Sequence, residues 1–219
     1  MSKEQVVLSI FPLPEVVLFP GMDLPLHIFE DRYKEMISNC LNSDKQLGIV
    51  YLKDNQCADV GTKAEIIDVE KLEDGKMNIL AEGKNRFKIL DFVKEEPYHQ
   101  ALIESYDDLN LNIDDKVKVT INKIRELSVK ALALYDSISN EELSKKLKLP
   151  EEPNELLFLV AANLTCSYDE KQEILEIRSS KERSKKILKL LKEEIKRLEI
   201  LLENKQTKNE VIKNGKLKI

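Results

Sequence analysis

Over the first hundred residues, apolar positions recur every second place in short runs. "VVLSIF", "VVLF", "LGIVYL", "AEIIDVEKL", "KMNILAEG", "RFKILDFV" and "QALIESY" each have strand length and are bounded by turn residues. The pair "AEIIDVEKL" and "KMNILAEG" flanks Asp74-Gly75, which predicts a hairpin with a type I′ turn. In its returning strand Met77, Ile79 and Ala81 share one face, because side chains alternate with period two. "RFKILDF" carries Phe87 and Ile89 on one face and Leu90 and Phe92 on the other, which predicts a strand buried on both sides or inside a closed barrel. One helix interrupts the β pattern, with Phe29, Tyr33, Met36, Ile37 and Cys40 at helical spacing.

From about residue 113 the period changes to 3.6. Val117, Ile121, Ile124, Ser128, Ala131 and Tyr135 form one helical face. Three later helix starts carry the spacing of a capping box: Ser139 with Glu142, Ser167 with Glu170, and Ser179 with Glu182. Pro153 suits the first turn of "PNELLFLVAANL". In the last helix Leu188, Leu191, Ile195, Leu198 and Leu202 repeat at steps of three and four. The stripe is either a short coiled-coil seam or the face by which the helix docks on its own bundle, and its short length favours docking. The stripe stops after Glu203, and "NKQTKNEVIKNGKLKI" reads as a flexible, Lys-rich tail. The predicted organisation is a β-rich domain over 1–110, a helical bundle over 111–203 and the tail over 204–219, with "YDDLNLNIDD" as the joint.

Composition narrows the function classes. The chain has 219 residues, 42% hydrophobic and 34% charged, which is enough apolar material to fill a core. A net charge of −5 gives no overall basic field for nucleic acid. The three cysteines, Cys40, Cys57 and Cys166, are odd in number, widely spaced and without a CxxC, so neither a disulfide framework nor a zinc site is expected. No signal peptide is read at the N-terminus, and no run reaches the roughly 18 apolar residues that span a bilayer. A reducing, cytoplasmic setting is the expectation.

Catalytic motifs are not found. No glycine pair has the P-loop spacing, and there is no GxGxxG, so nucleotide chemistry by those routes is not expected. The two histidines, His27 and His99, lie 72 positions apart; His27 reads as a packed, hydrogen-bonded imidazole and His99 as a surface-loop residue. No serine sits in a G-x-S-x-G turn. The expectation is a protein that is not an enzyme, with no catalytic residue, no metal and no cofactor. One run, "EGKNRFK", interleaves Lys84, Arg86 and Lys88 with Phe87 and could grip a nucleic-acid strand by phosphate and stacking contacts. Because the same run alternates as a strand, Phe87 is expected to point inward, and nucleic acid is the minor reading.

Taken in order, "LSIFPLPEVVLFPGMDLPLHIFEDRY", "VGTKAEIIDVEKLEDGKMNILAEGKNRFKIL" and "LVAANLTCSYDEKQEILEIRSSKERSKKILKLLKEEI" resemble the N-terminal substrate-binding domain of the ATP-dependent Lon proteases, over about residues 7 to 202. The resemblance implies an α+β fold: a PUA-like β-barrel or pseudo-barrel with one inserted helix, then a helical bundle ending in a long helix. It also implies recognition of unfolded or damaged protein segments, or other protein contacts, as part of proteolysis. Lon continues into ATPase and Ser–Lys protease modules, whereas this chain stops soon after the long helix. "PLHIFEDRYKEMISNCL" and "CADVGT" look more like stand-alone Lon-domain proteins, and the final sixteen residues leave the family pattern. A free-standing protein is expected, with a shortened form of a full-length Lon protease as the alternative.

The run "VVLFPGMDLPLHIFE" then becomes the candidate contact surface. Pro20-Gly21 ends one strand and Pro25 lacks a backbone donor, so regular sheet pairing is broken there. Phe19, Pro20, Met22 and Leu24, extended by Met77, form either a partly exposed apolar ledge for unfolded or apolar segments, or part of the barrel filling. An extended peptide could also add to a free strand edge. The alternative function is an RNA-binding module on the PUA-like barrel through Lys84, Arg86 and Lys88. A monomer or weak dimer is expected.

Overall fold

A computed structural model describes residues 5–109, 114–142 and 148–216, with side chains through residue 207. Two compact units divide it. The first holds β1 (Gln5–Leu13), β2 (Asp23–Ile28), α1 (Asp31–Leu41), β3 (Gln46–Lys53), β4 (Gln56–Cys57), β5 (Val60–Lys71), β6 (Met77–Lys94) and β7 (Gln100–Ser105). The second holds α2 (Asp115–Ser139), α3 (Pro153–Asn163) and the long α5 (Ser180–Lys216). Helix α4 (Tyr168–Glu176) belongs with the strands, although the sequence groups it with the helical stretch 111–203. The fold class is α+β.

Five strands of the first unit close a ring. β1 pairs with β7, β7 with β6, β6 with β5 and β5 with β3, all antiparallel, and β3 returns to β1 in parallel. Leu8, Ile10, Val50, Phe87, Ala101 and Ile103 pack inside it. Helix α1 supplies a second core, in which Tyr33, Met36, Ile37 and Cys40 meet Ile28, Ile49, Ile66, Met77 and Ile79. The strand β6 is long enough to serve twice. Its first half carries β2 on one edge and β5 on the other, and its second half carries β7.

β2 is paired on one side only among the described strands. Gly83 N donates to Met22 O at 2.9 Å, so by the two-residue alternation of an antiparallel ladder Leu24, Leu26 and Ile28 turn their backbone groups to β6, while Asp23, Pro25 and His27 turn theirs outward. Pro25, which has no N–H, therefore sits where a donor is not needed.

Several local expectations change. "VVLF" forms no strand; after β1 the chain runs irregularly to a turn at Phe19–Met22. Met22 N bonds Phe19 O at 3.2 Å and Gly21 has φ +78°, which makes a type II turn with Pro20 and Gly21 at its centre. The hairpin between β5 and β6 has a three-residue loop rather than a type I′ turn: Gly75 N bonds Leu72 O, Leu72 N bonds Lys76 O, and Gly75 supplies the positive φ of +78°. The type I′ geometry occurs instead at Asp54-Asn55, φ 50° and 61°, between β3 and β4. The strand "RFKILDF" is not buried on both faces. Register shifts at Leu90 and Val93 place one extra residue each against β7, so Phe87, Ile89 and Phe92 all face the core and Leu90 is exposed.

In the helical unit, five residues of the predicted α2 face are buried, Val117, Ile121, Ile124, Ser128 and Ala131, and the sixth, Tyr135, is half-buried. Asp114 caps its start by accepting from Val117 N, and Asn140 ends it in the left-handed region. Pro153 occupies the first position of α3. The capping box at Ser167 and Glu170 forms in full at the start of α4. Ser139 is instead the last residue of α2, and the helix it was to open falls outside the described residues. α5 buries Ile187, Leu190, Leu191, Ile195 and Leu198, a face wider than a heptad seam, as helix docking requires, while Leu188 and Leu202 of the expected stripe are half-buried. It runs on to Lys216, through most of the stretch read as a tail.

Candidate binding cleft

The apolar run does carry exposed greasy surface, but at its other end. β2 stops at Ile28, and α1 begins at Asp31 with Glu30 as its cap residue. Phe29 is therefore stranded between them, before the helical face that the spacing assigned it to, and is 59% exposed. It borders a cleft of about 680 Å³ in the β unit. The walls come from the ends of β1, β2, β3 and β6, from β4 and from the start of α1, so the cleft lies where several ladders terminate.

Aromatic rings line much of it. Phe11 packs against Tyr33 with centroids 4.3 Å apart, and Arg32 lies over the Tyr33 ring at 4.5 Å. Phe92 meets His99 edge-on at 5.5 Å, and His27 stacks beside Phe29 at 6.1 Å. Three of the six phenylalanines and both histidines thus gather at one cleft. Pocket walls that combine aromatic rings with polar groups suit ligand binding.

Glu30, Arg32, Asn55, Glu95 and the two histidines supply the polar part of the lining. Arg32 pairs with Glu30 at 2.8 Å on the rim. His27 is exposed rather than packed, and its Nδ1 bonds Asn78 Oδ1 at 2.8 Å. His99 is half-buried rather than a surface-loop residue: its carbonyl accepts from Ile10 N at 2.8 Å, and its Nδ1 is enclosed without a hydrogen-bond partner among the described residues. Burial pushes the Cys57 thiol up, which disfavours the thiolate a nucleophile needs. Burial also raises Tyr33, against the opposing charge of Arg32. Among the described residues no cluster of three or more His, Cys, Asp or Glu is placed to hold a metal, and no helix is long and apolar enough to cross a membrane.

Residues 7–193 match the family model of the ATP-dependent protease La (LON) substrate-binding domain. The chain belongs to this family. Among curated relatives, the Lon protease of Cytophaga hutchinsonii is 30% identical over 212 residues, 91% of this chain and 26% of that protein. The Lon protease of Flavobacterium johnsoniae is 29% identical over 211 residues, with 91% and 26% covered. The chain spans about a quarter of the length of these relatives. Two solved structures share the fold. The N-terminal domain of Mycobacterium avium complex Lon protease superposes with a TM-score of 0.67 at 17% identity, covering 85% of this chain and 98% of that one. A Lon N-terminal domain protein from Xanthomonas campestris gives 0.62 at 19% identity, covering 84% and 97%.

Within this Lon domain the residues expected to form a ledge do not gather into one. Phe19 is fully buried and Met77 is 5% exposed, so both belong to the core. The reason is local: Thr62 Oγ1 donates to Leu18 O at 2.6 Å and Gly21 N to Gly83 O at 2.7 Å, which pins the turn onto the sheet and turns Phe19 inward. Pro20, Met22 and Leu24 are half-buried, the last two packed on the α1 core, and none lines the cleft.

The basic run is dismantled as well. Arg86 is 6% exposed. Its guanidinium donates to Leu175 O at 2.6 Å and Ile177 O at 2.9 Å, at the C-terminal end of α4, and pairs with the buried Asp108. Phe87 is 2% exposed, so it offers no stacking face. Lys84 is held by Glu82 and Glu65, and Lys88 is half-buried in the strand. The spacing of "EGKNRFK" thus encodes a structural tie between β6 and α4. The cleft residues that sequence reasoning missed, Phe29, Phe92 and His99, carried one usable signal: an aromatic directly ahead of a helix-cap position, as Phe29 is before Glu30.

Proposed function

We propose that this Lon domain is a non-catalytic recognition module that holds apolar segments of unfolded polypeptides in the cleft beside Phe29, as the substrate-reading part of Lon-type proteolysis in the cytoplasm. The observation that carries the reading is the exposed Phe29 side chain on the border of an aromatic-lined cleft of about 680 Å³. An exposed large ring next to a concave, aromatic-lined surface favours contact with a partner over solvent. A segment lying there would bury large side chains among Phe11, Phe29 and Phe92. Contacts of this type tolerate many sequences, as recognition of unfolded chains requires. Nothing in the reading calls for a reaction, and the raised Cys57 thiol fits a surface that binds without attack.

The test is capture of a fluorescent, permanently unfolded model protein by wild type, Phe29→Asp and Met22→Asp. Phe29→Asp is expected to weaken capture at least tenfold with an unchanged thermal midpoint, and Met22→Asp to leave capture within twofold. Equal capture by wild type and Phe29→Asp would remove the cleft from the function. The RNA reading is not favoured, because Arg86 and Phe87 are withdrawn from the surface.

A further inference from the structure

The geometry points to a second binding site, in the helical unit, that takes a small neutral amphiphile: an apolar body with one hydroxyl or carboxamide head. The site is a pocket of about 340 Å³ formed by α2, α3 and α5 together with Leu149. Ala131, Val160, Leu164 and Leu191 form its buried floor, and Leu132 and Leu159 its half-buried mouth. Its volume lies at the lower end of the range for small-molecule sites.

The polar end of the pocket decides the ligand. Ser128 lies on the inner face of α2, is 7% exposed, and lines the cavity. A helical serine commonly gives its hydroxyl to the carbonyl one turn back, as Ser139 does to Tyr135 O at 2.9 Å. Ser128 Oγ makes no hydrogen bond among the described residues. A buried hydroxyl without a partner is costly to keep, and a ligand group that bonds it removes that cost.

Glu194 sets the charge. Its side chain is 5% exposed and also lines the pocket. One carboxylate oxygen accepts from Tyr135 Oη at 2.7 Å, Thr165 Oγ1 at 3.1 Å and Arg197 at 2.7 Å; the other accepts from Arg197 at 2.7 Å. The carboxylate is therefore already supplied with donors and with a cation. An anionic head would meet Glu194, and a cationic head would compete with Arg197 for it. A neutral head that exchanges a hydrogen bond with Ser128 Oγ, once the side chain turns about its Cα–Cβ bond toward the cavity, meets neither difficulty, and the apolar walls take its body.

The experiment titrates the full ¹⁵N-labelled chain with 1-hexanol, hexanamide, hexanoate and hexylamine, followed by amide chemical shifts. Hexanol and hexanamide are expected to saturate, with the largest shifts around Ser128 and Val160. Hexanoate and hexylamine are expected to bind at least tenfold more weakly. Ser128→Ala, which places a better helix former at the same position and keeps the fold, is expected to weaken hexanol at least fivefold. Phe29→Asp is expected to leave hexanol binding unchanged. No saturable shifts, shifts confined to the cleft of the β unit, equal affinity for hexanoate, or an unaffected Ser128→Ala would each overturn the proposal.

Discussion

The guanidinium of Arg86 reaches the carbonyl of Leu175, 89 positions later in the chain, at 2.6 Å. It also takes the Ile177 carbonyl and the Asp108 carboxylate, and it lies 5.4 Å from the Tyr106 ring centroid. One side chain thus satisfies acceptors at the end of α4 that the helix itself leaves open. Arg86→Met removes the cation beside a carboxylate whose side chain is only 7% exposed. A loss of about 3–5 kcal/mol of stability in the β unit is expected by urea unfolding. Arg86→Lys should recover only part of it, since a single ammonium cannot reproduce the planar fork. A loss below about 1 kcal/mol for Arg86→Met would mean that the tie contributes little beyond a surface ion pair.

Phe19 and Phe29 separate packing from binding within one apolar run. Phe19 is fully buried, and Phe19→Ala is expected to cost about 3–5 kcal/mol. Under conditions where that variant stays folded, capture of an unfolded chain should match wild type. An unchanged unfolding midpoint with lost capture would place Phe19 in the binding surface after all.

Cys57 reports on the cleft. Its thiol is pushed up by burial, so alkylation by iodoacetamide at neutral pH should run slower than for a free thiol, with Cys57→Ser marking its share of the signal. Saturation with an apolar peptide should slow it further. The same rate with and without peptide would put the occupied surface elsewhere.

Helix α4 is also held by its first turn. Lys53 Nζ lies 2.5 Å from the Asp169 carboxylate and Tyr51 Oη 3.2 Å from it. The hydrogen bond from Lys53 is the leading cause that lowers the Asp169 carboxyl below its ordinary value. A carboxyl depressed by folding adds stability above the unfolded value of about 3.9 and loses it as the pH falls through the lower, folded value. Wild type should therefore exceed Asp169→Asn in urea midpoint at pH 7, and the gap should close as the pH drops below about 4. Because the groups are solvent-exposed, 1 M salt should narrow the gap as well. A gap that is constant with pH would assign the effect to packing.

The helices were the most legible part of the sequence. The α2 face could be named residue by residue because a 3.6-residue period identifies the buried stripe without reference to what covers it. The strands were legible as segments, but their phase was not. Whether Leu90 or Phe92 faces inward is decided by two register shifts against β7, and a shift belongs to a pair of strands rather than to one. Turn chemistry failed for a related reason. Asp74-Gly75 suits a type I′ turn, yet the lengths of the paired strands leave three residues to close and not two. The binding surface was the least legible. Phe29 falls in step with the α1 face, and only the helix start at Asp31 releases it to the cleft. Arg86 read as a surface cation because its carboxylate and carbonyl partners arrive from distant segments.

Pro25 has a consequence for copies of the protein meeting one another. The outward side of β2 presents Asp23, Pro25 and His27, and the middle position has no hydrogen to give. Two molecules brought together at this rim cannot zip into an unbroken intermolecular sheet, because the ladder misses a rung at its centre. Edge-to-edge pairing of folded copies along β2 is thereby disfavoured, while side-chain docking a few residues further on, at Phe29, is left unimpeded.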